Sequence, residues 1–226
     1  KVWEKWVELS PDSVLANFYY GDALARDKDM DRALKHLQVA RDLKPGYLPA
    51  RLSIIRVLAE SGDSKAAFAE MEALQSEMKE DRADVFYTQG WLNASAGNLE
   101  AAEQALQKSL SLQPAPETVM LLFTTINSQG REEDALALLE AGSGNFPRSS
   151  SLMLVLGQSY LARNEEGKAI DVYQRLLGVA PQSVVALNNL AWLMRERDPK
   201  QALNYARQGI ALVPEDPFML STLGTV

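Results

Sequence analysis

The 226-residue sequence contains no cysteine and a single histidine, His36. Without cysteine the chain forms no disulfide, no thiolate zinc site and no thiol nucleophile, and one histidine excludes metal sites built from several imidazoles. No apolar run approaches the roughly 18 residues that span a bilayer, so we expect no direct membrane insertion by this segment. The net charge of −7, with scattered Lys and Arg, disfavours a nucleic-acid partner.

Signatures of catalysis are also missing. His36 lies at a predicted helix surface with no nucleophile motif beside it, and we expect it to be solvated. Gly142-Ser143-Gly144 lacks the Gly-Lys-Ser/Thr of a phosphate loop, so we expect a turn at a helix end there. Paired carboxylates remain an open alternative because acidic residues are abundant. The sequence therefore predicts no enzymatic activity, no cofactor and no metal.

What the sequence does contain is an internal repeat. Six alanines recur at intervals of 34, 35, 33, 34 and 33 residues, and a second series, mostly proline, follows each of them by twelve residues. A period near 34 residues is typical of stacked helical hairpins. The alanines are Ala33, Ala67, Ala102, Ala135, Ala169 and Ala202, and the second series is Pro45, Lys79, Pro114, Pro147, Pro181 and Pro214.

Each repeat has the pattern of two amphipathic helices joined by a tight turn. One turn position holds Gly62, Gly97, Gly130 or Asn164, residue types that tolerate the left-handed conformation that ends a helix. We expect one array over 1–226. Its full repeats are 14–47, 48–82, 83–115, 116–149, 150–183 and 184–216, with partial repeats at 1–11 and 217–226.

The alanine in each second helix is explained by packing. Two helices approach closely only where side chains are small, and alanine causes no loss of helix propensity. Gly21, Gly90 and Gly157 are the matching small positions on the first helix of their repeats. We therefore expect the closest helix contacts at these positions.

The pattern resembles the tetratricopeptide repeat family. Alanine at repeat position 20 occurs in all six full repeats and proline at position 32 in five, although position 11 is aromatic only at Tyr160. The best match is Met153, Leu156-Gly157, Tyr160, Ala169, Tyr173, Leu176 and Pro181. The resemblance covers essentially the whole chain. It implies an all-α, right-handed α-solenoid (superhelix) of helix-turn-helix hairpins, with six full repeats, a partial helix at each end and about 14 helices.

A narrower resemblance concerns the C-terminal end. Residues Asn188–Leu193, Asp198-Pro199 and Leu220–Gly224 are similar to large bacterial repeat lipoproteins encoded with exosortase and exopolysaccharide systems. This resemblance implies an envelope protein, and on that basis we favour a periplasmic or outer-membrane-associated location in bacteria over the cytoplasm. Because the sequence starts at Lys1 and stops at Val226 inside helical patterns, we expect a fragment of a longer protein.

The family resemblance places the first helices on the concave face of the superhelix. Positions 2, 5, 9 and 12 of each first helix lie opposite the stripe that packs on the second helix. Their mixture of aromatic, arginine and amide side chains is typical of protein recognition. The candidate ligand-binding residues are Phe18, Asp22, Arg56, Tyr87, Trp91, Met120, Thr124, Asn127, Gln158, Asn188, Trp192 and Arg195.

Trp91 and Trp192 are the leading candidates, since both occupy position 9 of their repeats. Packing between helices is an equally good role for them. Arg56 and Arg195 pair either with acidic groups of a peptide or with a neighbouring Glu. The family's clamp for chaperone C-termini needs Lys at position 5 and Asn at position 9 of one repeat, and no repeat has that pair.

The sequence therefore predicts a non-catalytic scaffold that binds a peptide or protein partner of unknown identity on its concave face. The second resemblance adds a bacterial envelope or exopolysaccharide export system as its setting. The alternative is a structural spacer or assembly domain without a specific groove ligand. Because internal repeats lack a polar cap, we also expect end-to-end self-association of the array.

Overall fold

The computed structural model of the chain describes residues 2–215, 217, 220, 221 and 224. This part of the chain contains thirteen α-helices and no β-strand, which confirms the predicted all-α fold. Most of the predicted last helix, within 217–226, lies outside the described residues. None of the described helices combines the length and apolar character needed to cross a bilayer. The helices are α1 (Val2–Leu9), α2 (Val14–Arg26), α3 (Met30–Leu43), α4 (Leu48–Glu60), α5 (Ser64–Glu77), α6 (Ala83–Ser95), α7 (Leu99–Leu112), α8 (Pro116–Ser128), α9 (Glu132–Asn145), α10 (Ser150–Ala162), α11 (Glu166–Val179), α12 (Val184–Met194) and α13 (Pro199–Leu212).

The helices form two compact units, Lys1–Pro114 and Ala115–Val226, called here the N-terminal and C-terminal units. In the N-terminal unit each helix from α1 to α6 contacts the next, and α4 also contacts both α2 and α6. In the C-terminal unit each helix from α8 to α12 contacts the next, and α8 also contacts α10. Each unit is therefore a stack of helical hairpins, the arrangement of an α-solenoid. The even-numbered helices from α2 to α12 are the first helices of the hairpins.

Each hairpin is closed by small residues, as the repeat pattern predicts. All six repeat alanines are completely buried. A Cβ atom added at Gly90 would lie 2.5 Å from Cγ of Leu106, and one added at Gly157 would lie 2.6 Å from Cε1 of Tyr173. Gly21 makes the equivalent close approach to α3. These distances leave no room for a methyl group on the first helix.

The segment Gly142–Gly144 does not form the predicted turn, because α9 continues through Asn145. Gly142 is buried, and a Cβ atom there would lie 2.6 Å from Cγ1 of Val119 on α8. The glycine therefore serves the same close helix packing, with the small residue on the second helix. Sequence alone does not separate this role from a helix end, since glycine is common at both.

The turns follow the prediction at four positions. The φ angles are +92° at Gly62, +81° at Gly97, +77° at Gly130 and +59° at Asn164. Lys28 adopts the same left-handed conformation in the first full hairpin, with φ of +64°, although lysine has no particular preference for it. The turn residues therefore share a left-handed conformation that glycine and asparagine tolerate well and lysine does not favour.

His36 is not solvated as predicted but half-buried between α2 and α3. Its Nδ1 lies 3.0 Å from Oδ1 of Asn17, and its ring centroid lies 4.7 Å from that of Tyr20. Asn17 is buried and donates from Nδ2 to the backbone carbonyls of Pro11 and Ser13. Its Oδ1 is thus the acceptor that faces the imidazole, which assigns the proton of neutral His36 to Nδ1.

This environment predicts a stability that depends on pH. Burial lowers the pKa of His36, and the charges of Lys35 and Arg32 lower it further. The unfolded chain binds a proton near the ordinary pKa of about 6.5, whereas the folded chain binds it only at lower pH. Between these two values the unfolded state holds more protons, so we expect the free energy of unfolding to fall as the pH drops below about 6.5.

The measurement is urea unfolding between pH 5 and pH 8 for the wild type and His36→Gln, which cannot titrate. The variant should lose part of the dependence on pH. Because His36 is the only histidine, its single C2–H resonance reports the folded-state pKa directly. A folded pKa at or above the ordinary value, or equal pH dependence in both proteins, would contradict the expectation.

A second prediction concerns the closest helix contact. Gly90→Ala should lower the free energy of unfolding by about 1–3 kcal/mol, because the new methyl group overlaps Leu106. Gly144→Ala is the control, since no atom outside its own helix lies within 4 Å of the added Cβ and alanine is the better helix former by up to about 1 kcal/mol. Equal effects of the two substitutions on the free energy of unfolding would show that the contact between Gly90 and Leu106 does not exclude a methyl group.

Candidate functional site

The predicted surface residues all lie on first helices, except Arg195, which follows directly after α12. None of the twelve is buried. They divide between the two compact units. The N-terminal unit holds Phe18 and Asp22 on α2, Arg56 on α4, and Tyr87 and Trp91 on α6; the C-terminal unit holds Met120, Thr124 and Asn127 on α8, Gln158 on α10, and Asn188, Trp192 and Arg195 on or next to α12.

In the N-terminal unit, Arg56 and Trp91 meet between α4 and α6. The guanidinium carbon of Arg56 lies 5.7 Å from the centroid of the Trp91 ring, within the range of a cation–π interaction. Trp91 is half-buried and packs against a core cluster that includes Ile55 and Leu92. Arg56 is exposed and forms no ion pair with a described residue. The Trp91 ring is therefore held by packing against the core cluster, and the Arg56 side chain is accessible to solvent.

A cavity of about 300 Å³ lies between α2 and α4. Five charged side chains line it, and four of them are paired: Arg26 with Asp22, and Lys28 Nζ with Glu60 Oε2 at 3.1 Å. Arg56 is the fifth. Asp22 and Arg56 are among the residues predicted from the sequence, but Arg26, Lys28 and Glu60 are not. They lie in the last turn of their helices or in the turn after it, which the inward-facing positions do not include.

Phe18 has a structural role in the same unit. Its ring meets the Tyr47 ring edge-on, with centroids 5.4 Å apart, and it packs against the core cluster that contains Leu37 and Ile54. Phe18, one of the predicted surface aromatics, therefore stabilises the packing of the hairpins.

In the C-terminal unit, Trp192 is the most prominent candidate, with 45% of its surface exposed. The guanidinium carbon of Arg195 lies 4.3 Å from the centroid of its ring. Arg195 also donates from Nη1 to the backbone carbonyl of Trp192 at 2.7 Å, and its Nη2 lies 3.5 Å from Oε1 of Glu196. Arg195 thus makes one of its two predicted contacts, the one with a neighbouring Glu, and its guanidinium is held over the ring. The result is a fixed, exposed aromatic surface.

Two tyrosines of the C-terminal unit have shifted pKa values but belong to the core. Burial and the hydrogen bond from the Tyr160 hydroxyl to Glu140, 2.6 Å long, raise the pKa of Tyr160. Burial raises the pKa of Tyr173 to about 12. Both hydroxyls stay protonated near neutral pH, so neither is a general base. The surfaces around Trp91 and Trp192 present aromatic and charged side chains.

Models of the family described as tetratricopeptide repeat match residues 1–47 and 128–184, and a second model with the same description matches residues 83–116. The chain contains tetratricopeptide repeats. No curated protein has a matching sequence.

Solved structures show the same tetratricopeptide-repeat fold. PilF from Pseudomonas aeruginosa is 18% identical, with a TM-score of 0.66 over 94% of this chain and 97% of that chain. Yeast Tom70 is 15% identical, with a TM-score of 0.70 over 98% of this chain, which spans about half (49%) of the Tom70 chain. YrrB, described as having an unusual peptide-binding site, is 20% identical, with a TM-score of 0.50 over 83% of this chain and 96% of that chain. At these identities the likeness concerns the fold alone.

The two tryptophans should differ in their contribution to stability. Trp91→Ala removes a ring packed on a core cluster and should lower the free energy of unfolding by about 2 kcal/mol or more. Trp192→Ala removes a ring that is 45% exposed and should cost less than about 1 kcal/mol. Urea unfolding of both variants measures the difference. A larger loss for Trp192→Ala would show that this ring is structural.

Proposed function

We propose that this chain is a non-catalytic scaffold that binds a peptide or protein segment on its first helices, which the family resemblance predicts to line a concave face. The observation that carries the proposal is the exposed Trp192 ring with Arg195 held over it. A large aromatic side chain that is already fixed loses little entropy on binding, and such residues dominate protein recognition. The family supports this role, because proteins with these repeats are generally scaffolds.

YrrB adds an analogy, since its structure is described as having a peptide-binding site.

The setting in a bacterial envelope or exopolysaccharide export system rests on the resemblance of residues 188–224 alone. End-to-end self-association rests on exposed apolar residues of α1, including Val2 and Leu9. Sedimentation at increasing protein concentration tests the self-association.

The second candidate is a structural spacer without a groove ligand. The packing of Phe18 and Trp91 against core clusters favours it, because these aromatics stabilise the stack without any ligand. The two candidates differ in the C-terminal unit, where the ring of Trp192 is largely exposed.

Selection of displayed peptides on the immobilised chain separates the two. A binding scaffold should enrich a set of sequences, and Trp192→Ala should weaken the enriched peptides about thirtyfold or more, the effect of losing an interface hot spot. Val179→Ala is the matched control, because Val179 is 39% exposed on α11, a second helix, and its loss should leave binding unchanged.

Helicity and unfolding of each variant are measured alongside binding. Failure to enrich any peptide would favour the spacer. Equal losses in Trp192→Ala and Val179→Ala would place binding away from Trp192.

A further inference from the structure

We propose that the cavity between α2 and α4 receives the side-chain carboxylate of an Asp or Glu in the bound segment, and that Arg56 is its partner. This inference rests on the proposed function and specifies the chemistry of one position in the ligand.

The charges that line the cavity support an anion. Asp22 and Glu60 are already paired with Arg26 and Lys28, so Arg56 leaves one positive charge without an ion pair among the described residues. The chain as a whole carries a net charge of −7, so this excess is local. An unpaired guanidinium presents a planar set of donors that matches the two oxygens of a carboxylate.

Trp91 is the positioning residue for Arg56. Its ring packs on the core cluster that contains Ile55, and the guanidinium carbon of Arg56 lies 5.7 Å from the ring centroid. The contact restricts a long side chain that would otherwise sample many rotamers, so less entropy is lost when a carboxylate binds. Trp91 therefore acts through Arg56 and does not need to touch the ligand itself.

The position of Arg56 points to a side chain within a segment rather than to the end of a chain. Arg56 lies on α4, the middle first helix of the N-terminal unit, which contacts α2 on one side and α6 on the other. Phe18 on α2 and Tyr87 on α6 are only partly buried. A segment that crosses all three helices continues on both sides of Arg56, whereas a chain that ends there reaches only one neighbour.

The test uses two displayed libraries on the full chain, one with peptides flanked by linkers at both ends and one with free C-termini. The flanked library should enrich peptides with an Asp or Glu at a constant position, and selection on Arg56→Gln should lose that preference. Arg56→Gln should weaken an enriched peptide about tenfold or more, the lower end of the range for a hydrogen bond to a charged group. Arg148→Gln removes the same charge from an exposed residue of the C-terminal unit and should leave the preference intact.

A double-mutant cycle isolates the pair. Replacing the peptide's Glu with Gln should weaken binding to the wild type and have no further effect on Arg56→Gln. Trp91→Leu should shrink the difference between the Glu and Gln peptides, and Trp91→Phe, which keeps an aromatic face, should restore most of it. A merely structural Trp91 would lower the affinity for both peptides equally.

The outcomes separate this inference from the proposed function. Enriched peptides without an acidic position, or an acidic preference that persists in Arg56→Gln, would overturn the inference alone. An acidic preference found only among free C-termini would overturn the assignment to a side chain. No enrichment in either library would overturn the inference and the proposed function together.

Discussion

The two helices of each hairpin approach each other closely, and this approach organises the stack of hairpins. It is made at an alanine that has no exposed surface, and in three hairpins at a glycine on the facing helix. Methyl and hydrogen side chains let the two backbones approach, so the apolar stripes of both helices are covered at once. The same contact determines which side of the first helix is covered by its partner, and therefore which side remains for a ligand.

The hairpins could be predicted from the sequence because their signal is periodic and local. The repeated alanines and the left-handed turns at Gly62, Gly97, Gly130 and Asn164 were found in this way. Lys28 was missed because its left-handed conformation is imposed by the hairpin and not by its own preference. The buried contact of His36 was also missed, since it depends on an acceptor that Asn17 supplies from another helix.

The surface was only partly predictable. Helical spacing selects the side of a first helix that faces away from its partner, and none of the twelve chosen residues is buried. It does not show how those residues pair across helices. Arg56 and Trp91 are 35 positions apart in sequence and meet only because successive first helices are adjacent. The division of the chain into repeats and the binding role of each residue remain predictions.

Mapping a bound peptide by backbone amide chemical shifts tests whether the first helices form the binding surface. A peptide selected on the chain is titrated into isotopically labelled protein, and the shifts of every helix are followed. We expect changes concentrated on α2, α4 and α6, on α8, α10 and α12, or on both sets. Changes concentrated on the second helices, α3, α5, α7, α9, α11 and α13, would show that the first helices do not form the binding surface.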